Sequence, residues 1–189
     1  TPDLTLFPYT TLFRSIKKAS SDADSTNYEA VTYEGYGPNG VAVIVEALTD
    51  NRNRTAGEVR HYFDKFGGNM GTQGCVSFMF SKKGVLVIER EDLEKDEDTV
   101  MSDALECGAS DFEADDDVFT IYTETDDFGA VRDELEKLGY TFVSAEIEMV
   151  PSTYTKLEDE ETATKMQKML DMFEDNDDIQ NVWHNWEMD

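Results

Sequence analysis

Cysteine is scarce in this sequence: Cys75 and Cys107 are the only two among 189 residues. They form no C-x-x-C pair and have no histidine at zinc-ligand spacing. That excludes a disulfide-framework secreted domain and points to a reduced, cytoplasmic setting. Histidine is limited to His61 and His184. Basic side chains are few, 16 Lys and Arg against 42 Asp and Glu, for a formal charge of −26. No apolar stretch approaches the ~18 residues of a membrane span, so no membrane partner is expected. Hydrophobic residues still make up 39% and aromatics 11%, more than a wholly disordered chain would carry. The length suits one or two domains.

Turn signals and hydrophobic periods divide the chain. Tyr28–Glu34 alternates, and Val41–Leu48 is a nearly continuous β-branched run; between them lies the turn cluster Gly35-Tyr36-Gly37-Pro38-Asn39-Gly40. The pair reads as a hairpin with a longer loop. Thr55 and Glu58 have capping-box spacing, and Val59, Tyr62, Phe63 and Phe66 follow at helical spacing before Gly67, which predicts a helix from about Thr55 to Phe66. Gly68–Gly74 reads as a flexible loop. Two strands are expected at Cys75–Phe80 and Val85–Glu89, separated by Ser81-Lys82-Lys83-Gly84. Further helices are predicted over Asp96–Glu106, Phe128–Leu138 and Ala163–Phe173, and further strands over Val118–Tyr122, Phe142–Met149 and Ile179–Trp186. Helices and strands interleave without regular βα alternation, so the class is α+β. Residues 84–150 could fold alone, inserted into a discontinuous α+β domain made of 28–83 plus 151–189.

Charge is unevenly spread. Residues 1–50 carry a net −4 and residues 89–189 a net −26, whereas 51–83 carry a net +4. The acidic body reads first as a solvated surface. Asp111–Asp117 has alternating carboxylates like the start of a calcium loop, but Asp116 stands where that turn needs glycine and Tyr122 where the last ligand belongs, so no metal is expected. The basic segment holds Arg52, Arg54, Arg60, Lys65, Lys82 and Lys83. Arg60–Asp64 and His61–Lys65 are i,i+4 neighbours that helix-surface pairing could explain. Arg52 and Arg54 stand in a polar stretch with Asn51, Asn53 and Thr55, between a buried strand and a helix start. Two guanidiniums beside free helix N–H groups suit phosphate, with capping or internal pairing as the alternative role.

Signatures of catalysis are lacking. Gly35–Gly40 formally matches G-x-G-x-x-G, but Pro38 interrupts it and a strand follows where a dinucleotide site needs a helix. Gly67–Gly74 lacks the Gly-Lys-Ser/Thr of a P-loop. The two histidines are isolated, the cysteines read as small packed groups, and Trp183 and Trp186 read as core aromatics. No catalytic residue, cofactor or small-molecule ligand is expected.

Residues Thr5–Ser15 (TLFPYTTLFRS) match the in-frame translation of a common DNA-sequencing adaptor. Residues 1–15 are therefore expected to be an artefactual tag that packs poorly, with 16–27 a polar linker. From Tyr28 onward the chain resembles the YebC/PmpR family. The resemblance rests on Asn27-Tyr28-Glu29, Val31–Pro38, Val41–Arg54, Gly67-Gly68-Asn69, Phe80–Gly84 and Asn181-Val182-Trp183. It implies two α+β domains, the second inserted in the first, preceded in the family by a basic helical domain that is expected to be missing here. Members are described as DNA-binding transcriptional regulators and, including a mitochondrial relative that activates translation of cytochrome c oxidase, as factors acting at the ribosome. The resemblance thus implies DNA or ribosomal RNA as partner, met through the basic residues and weakly in a shortened chain, with an acidic protein-interaction module as the competing reading.

Overall fold

The computed structural model describes residues 27–188. The tag-like residues 1–15 and nearly all of the polar segment 16–27 lie outside them. The chain is α+β and divides into two units, one running to Ser81 and resuming at Pro151, the other spanning Lys82–Val150.

The first unit is built on a four-stranded sheet of order β3-β1-β2-β9, where β1 is Glu29–Tyr36, β2 Ala42–Thr49, β3 Asn69–Met70 and β9 Ile179–His184. β1 and β2 form the expected antiparallel hairpin, with Glu34 opposite Ile44. The turn between them places Asn39 (φ 58°) and Gly40 (φ 78°) in the left-handed region, which those two residue types tolerate. Helix α1 (Arg52–Lys65) and helix α4 (Glu160–Asp175) cover one face. Val43 and Val45 of β2 meet Val59 and Phe63 of α1 and Met166, Met169, Leu170 and Phe173 of α4 in a closed core. Burial of this kind stabilises by roughly 25 cal/mol per Å² of apolar surface. β2 is buried along almost its whole length, as its unbroken apolar run predicts. Gly35 is required by close approach: a Cβ there would stand 2.6 Å from the Asn69 carbonyl oxygen. Short strands β8 (Thr155–Lys156) and β10 (Trp186–Glu187) pair in parallel. Asn185 ends β9: its side chain accepts from the Ala42 N–H at 2.8 Å and its own N–H donates to the Ala42 carbonyl at 3.1 Å.

The second unit is a sheet of order β5-β6-β4-β7, with β4 Phe80–Glu89, β5 Asp111–Ala114, β6 Val118–Thr123 and β7 Ser144–Pro151. Its core joins Leu86, Ile88, Phe119 and Ile121 of the sheet to Val100 and Ala104 of α2 (Glu97–Glu106) and Val131 and Leu135 of α3 (Phe128–Lys137). The Asp103 carboxylate accepts from the Tyr140 hydroxyl at 2.6 Å, and Lys95 Nζ lies 3.2 Å from the same oxygen and 4.0 Å from the Tyr140 ring centroid.

Four local expectations are corrected. The strand expected at Cys75–Phe80 and the turn at Ser81–Gly84 are replaced by a 3-10 turn at Ser77–Met79 and one unbroken strand. Lys-Lys-Gly is turn-like in composition, but Gly84 sits in the sheet because its missing Cβ makes room for Thr123 and Phe128. Asp111–Ala114, read for its carboxylates, is the edge strand β5 paired to β6, and alternation of acids is what an edge strand shows. The segment read as a flexible loop contains β3, paired to Gly35 and Tyr36. The last strand breaks at Asn185 into β9 and β10.

Candidate nucleic-acid interface

The start of α1 differs from its expected position by one turn. Asn51 is the N-cap, and its side chain accepts from the Arg54 N–H at 3.1 Å. Asparagine caps as well as threonine does, and a cap four residues earlier adds a helical turn. Arg52 and Arg54 therefore lie inside the first turn, which holds no acidic residue. Thr55 is fully buried instead: its hydroxyl donates to Asp178 Oδ2 at 3.0 Å and lies within hydrogen-bond distance, 2.8 Å, of Thr49 Oγ1. Glu58 accepts from Asn176 Nδ2 at 2.8 Å, so the expected capping box does not form.

Two cations at the positive end of a helix oppose its dipole by roughly 0.3–1 kcal/mol each unless anions offset them. For Arg54 the offset is internal. Its Nη2 lies 2.7 Å from Asp178 Oδ2 and 2.9 Å from Asp50 Oδ1. Hydrogen bonding to Asp178, then to Asp50, raises its pKa further above its ordinary value. The pairing role is therefore real for Arg54. Arg52, Arg60 and Lys65 are exposed, and among the described residues no carboxylate pairs with them. The i,i+4 spacing of Arg60 and Asp64 does not close into an ion pair. Lys65 Nζ stands 5.5 Å from the centroid of Phe66. Asn53 is exposed beside Arg52 and Arg54.

The structure thus gathers Arg52, Arg54, Arg60 and Lys65 on one helix of the first unit. Lys82 and Lys83 belong to β4 in the second unit. Lys82 is exposed, while Lys83 Nζ is held 2.6 Å from Glu124 Oε1.

Two residues that sequence reasoning passed over organise this unit. Asp178, distant in sequence from α1, accepts from Arg54 and Thr55, and its carbonyl accepts from the Leu48 N–H at 2.7 Å. Nothing local in the sequence distinguishes it from the other acids. Glu34 is 3% exposed, and its carboxylate accepts from the backbone N–H groups of Gly74 and Ser77, the latter at 2.6 Å. A carboxylate inside an apolar hairpin, ahead of a glycine-rich segment, was the available signal.

Groups suited to catalysis are subdued. Burial pushes both thiols up, helped at Cys75 by the Glu34 charge, which disfavours thiolate. Burial lowers His184 to about 4, and its Nδ1 accepts from the Trp186 N–H at 3.2 Å, as a neutral ring does. Among the described residues no group of three or more His, Cys, Asp or Glu is placed to hold a metal ion. Nor is any described helix long and apolar enough to cross a membrane.

Two α+β units, one inserted in the sequence of the other, with a cation-bearing helix at the end of a buried hairpin define the class, and comparison with known proteins agrees. The family model described as the TACO1/YebC second and third domain matches residues 28–186, and the chain belongs to that family. A probable transcriptional regulatory protein of Acetivibrio thermocellus is 63% identical over 179 residues, 95% of this chain and 74% of that protein. One from Finegoldia magna is 58% identical over 180 residues, 95% of this chain and 74% of that protein. The crystal structure of a conserved hypothetical protein from Aquifex aeolicus is similar, with a TM-score of 0.79 at 42% identity, covering 95% of this chain and 73% of that one.

Proposed function

We propose that this chain is a nucleic-acid-associated regulator of gene expression, a binding protein of the cytoplasm rather than an enzyme. One observation bears most of the weight: the exposed cations of α1, Arg52, Arg60 and Lys65, stand without carboxylate partners among the described residues of a chain whose formal charge is −26. An acidic protein repels phosphate polymers over most of its surface, so any approach must be made through its cationic segment. Arg52 adds its charge to the N–H groups of a helix start, where anions are favoured. The relatives' description as probable transcriptional regulatory proteins supports the same reading. Phosphate contacts position a protein without reading sequence, so α1 supplies affinity rather than target choice. Lys82 and Lys83 are assigned to the same role from the second unit.

The test is titration of duplex DNA and co-sedimentation with ribosomes, both at roughly 0.15 M salt. Arg52→Ala/Arg60→Ala/Lys65→Ala is expected to weaken binding to the true partner and to flatten its log–log salt dependence by about three units for a duplex. Sequence-dependent duplex binding identifies a transcriptional regulator; ribosome binding with weak duplex affinity identifies a translation factor of the same family. Binding to neither, in the parent chain, overturns the proposal in favour of an acidic protein-interaction module.

A further inference from the structure

A glycine stands inside α1 where the fold gives it no reason to be. Gly57 is the sixth residue of that helix, past the first turn, and it is exposed. Glycine in a helix interior weakens the helix relative to alanine, because its backbone has more freedom to lose. Close packing or a left-handed backbone ordinarily explains such a residue. Neither applies here. A Cβ added at Gly57 would meet no atom within 4 Å, and Gly57 is not among the glycines of positive φ. Gly35 and Gly84, by contrast, lie where a Cβ would collide with neighbours in their sheets. The other glycine within a described helix, Gly129, is the second residue of α3, in a first turn whose N–H groups have no helical partner in any case.

The neighbours of Gly57 say what the bare backbone admits. On a helix surface each residue is bordered by those three and four positions away. For Gly57 these are Asn53 and Arg54 toward the N-terminus and Arg60 and His61 toward the C-terminus. All four are exposed and carry N–H donors. Arg54 is held by Asp50 and Asp178, whereas Arg60 meets no carboxylate among the described residues. Neither acid of α1 is among the four: Glu58 accepts from Asn176, and Asp64 lies nearly two turns beyond Gly57. The donors straddle roughly 12 Å of helix axis, too long for one small anion and suited to a chain of them. Such a gap lets a polyanion reach the main chain while cations close on it from both sides. We infer that Gly57 is the point of closest approach between α1 and the sugar–phosphate backbone of a bound nucleic acid, with Arg60 the cation which that approach brings into reach. The inference rests on the nucleic-acid reading above and adds where the strand runs: across the middle of α1, not end-on at its first turn.

The experiment titrates labelled duplex DNA with the full chain and its variants, with ribosome co-sedimentation in parallel, at roughly 0.15 M salt. Gly57→Leu is expected to raise the melting temperature by about 2–4 °C, since a better helix former replaces glycine on an exposed face. The same change is expected to weaken binding by about tenfold, through loss of a hydrogen bond to a charged group. A glycine that served the fold would not give these opposite signs. Gly57→Ala brings the helix gain with a smaller intrusion, so its affinity should fall between those of Gly57→Leu and the parent. For the duplex, the log–log salt dependence should flatten by about one unit in Gly57→Leu, as Arg60 loses its phosphate. Arg60→Ala should then weaken binding less in the Gly57→Leu background than in the parent. Gly129→Leu, a helical glycine of the other unit, should bind as the parent does. Parent-like affinity of Gly57→Leu overturns the close approach and leaves the cation-borne reading standing. A lowered melting temperature in both Gly57 variants overturns it too, by showing that the glycine serves the fold. If the parent binds neither duplex nor ribosome, the close approach and the proposed function both fall.

Discussion

Asp178 Oδ2 accepts from Arg54 Nη2 at 2.7 Å, which ties the start of β9 to the first turn of α1. The same oxygen accepts from Thr55 at 3.0 Å, so one carboxylate satisfies a cation at the positive end of a helix and a buried hydroxyl beneath it. Asp178→Ala removes this shared charged acceptor and leaves Arg54 with Asp50 alone and Thr55 with Thr49 and the Asn51 carbonyl. It is expected to destabilise the protein by about 1.5–3 kcal/mol, the range for hydrogen bonds to a charged group. Arg52→Ala, which removes no internal ion pair, is expected to leave the urea midpoint within error of the parent. Equal effects of the two changes would contradict this division of roles.

The cap of α1 makes a second prediction. Asn51→Ala removes the acceptor of the Arg54 N–H and is expected to cost about 0.5–2 kcal/mol, while Asn51→Asp or Asn51→Ser should cost little. Chemical denaturation of the three variants checks it. Were Thr55 the cap, as its spacing with Glu58 suggested, the Asn51 series would be flat.

Glu34→Gln keeps the shape of the side chain but removes its charge and gives it one oxygen where the carboxylate has two. Only one of the Gly74 and Ser77 N–H groups can then keep a good acceptor. Amide hydrogen exchange should quicken across Gly71–Met79 and stay unchanged in α4. Unchanged protection at Gly74 and Ser77 would show that the segment is ordered by other contacts.

Two titrations act in opposite directions. His184 is lowered to about 4 by burial, so the stability that its neutral ring contributes is present above about 6.5 and is lost as pH falls toward 4. Glu148 is raised to about 7, by burial first and by Glu146 second, so the contribution of its neutral form is complete below about 4.5 and is lost as pH rises through 7. Each effect is on the order of 1–3 kcal/mol. Glu148→Gln is therefore expected to gain stability over the parent between pH 5 and 8, and His184→Asn to lose part of the parent's decline between pH 6.5 and 4. Denaturant midpoints across that range, compared variant by variant, decide both signs.

Much of the architecture was legible locally. The hairpin was marked by the apolar run Val41–Leu48 and its Gly-Pro-Asn-Gly turn, and the cores of α1, α3 and α4 by apolar residues at helical spacing, because burying one stripe of a helix imposes that period. Boundaries were less legible. Asn51 and Thr55 are both good caps, and the choice fell to Asn51 because β2, β9 and α1 converge where Thr55 is buried against Thr49 and Asp178. Likewise Ser81–Gly84 has the composition of a turn, and only pairing of Gly84 with Thr123 across the sheet makes it strand.

For the candidate site the sequence by itself determined the sign and placement of charge: four cations between Arg52 and Lys65, two more at Lys82 and Lys83, and acid elsewhere. Spacing along a chain cannot say which cation meets a carboxylate across it. Tertiary structure decided that Arg54 and Lys83 are engaged by Asp178 and Glu124, both remote in sequence, while Arg52, Arg60, Lys65 and Lys82 face solvent. It also decided that Glu34, one carboxylate among 42 acids, turns inward to hold the backbone of Gly74 and Ser77. Helical and strand periods are properties of neighbours, and the sequence holds them; ion pairs and buried acceptors form between elements, and only the fold brings those together.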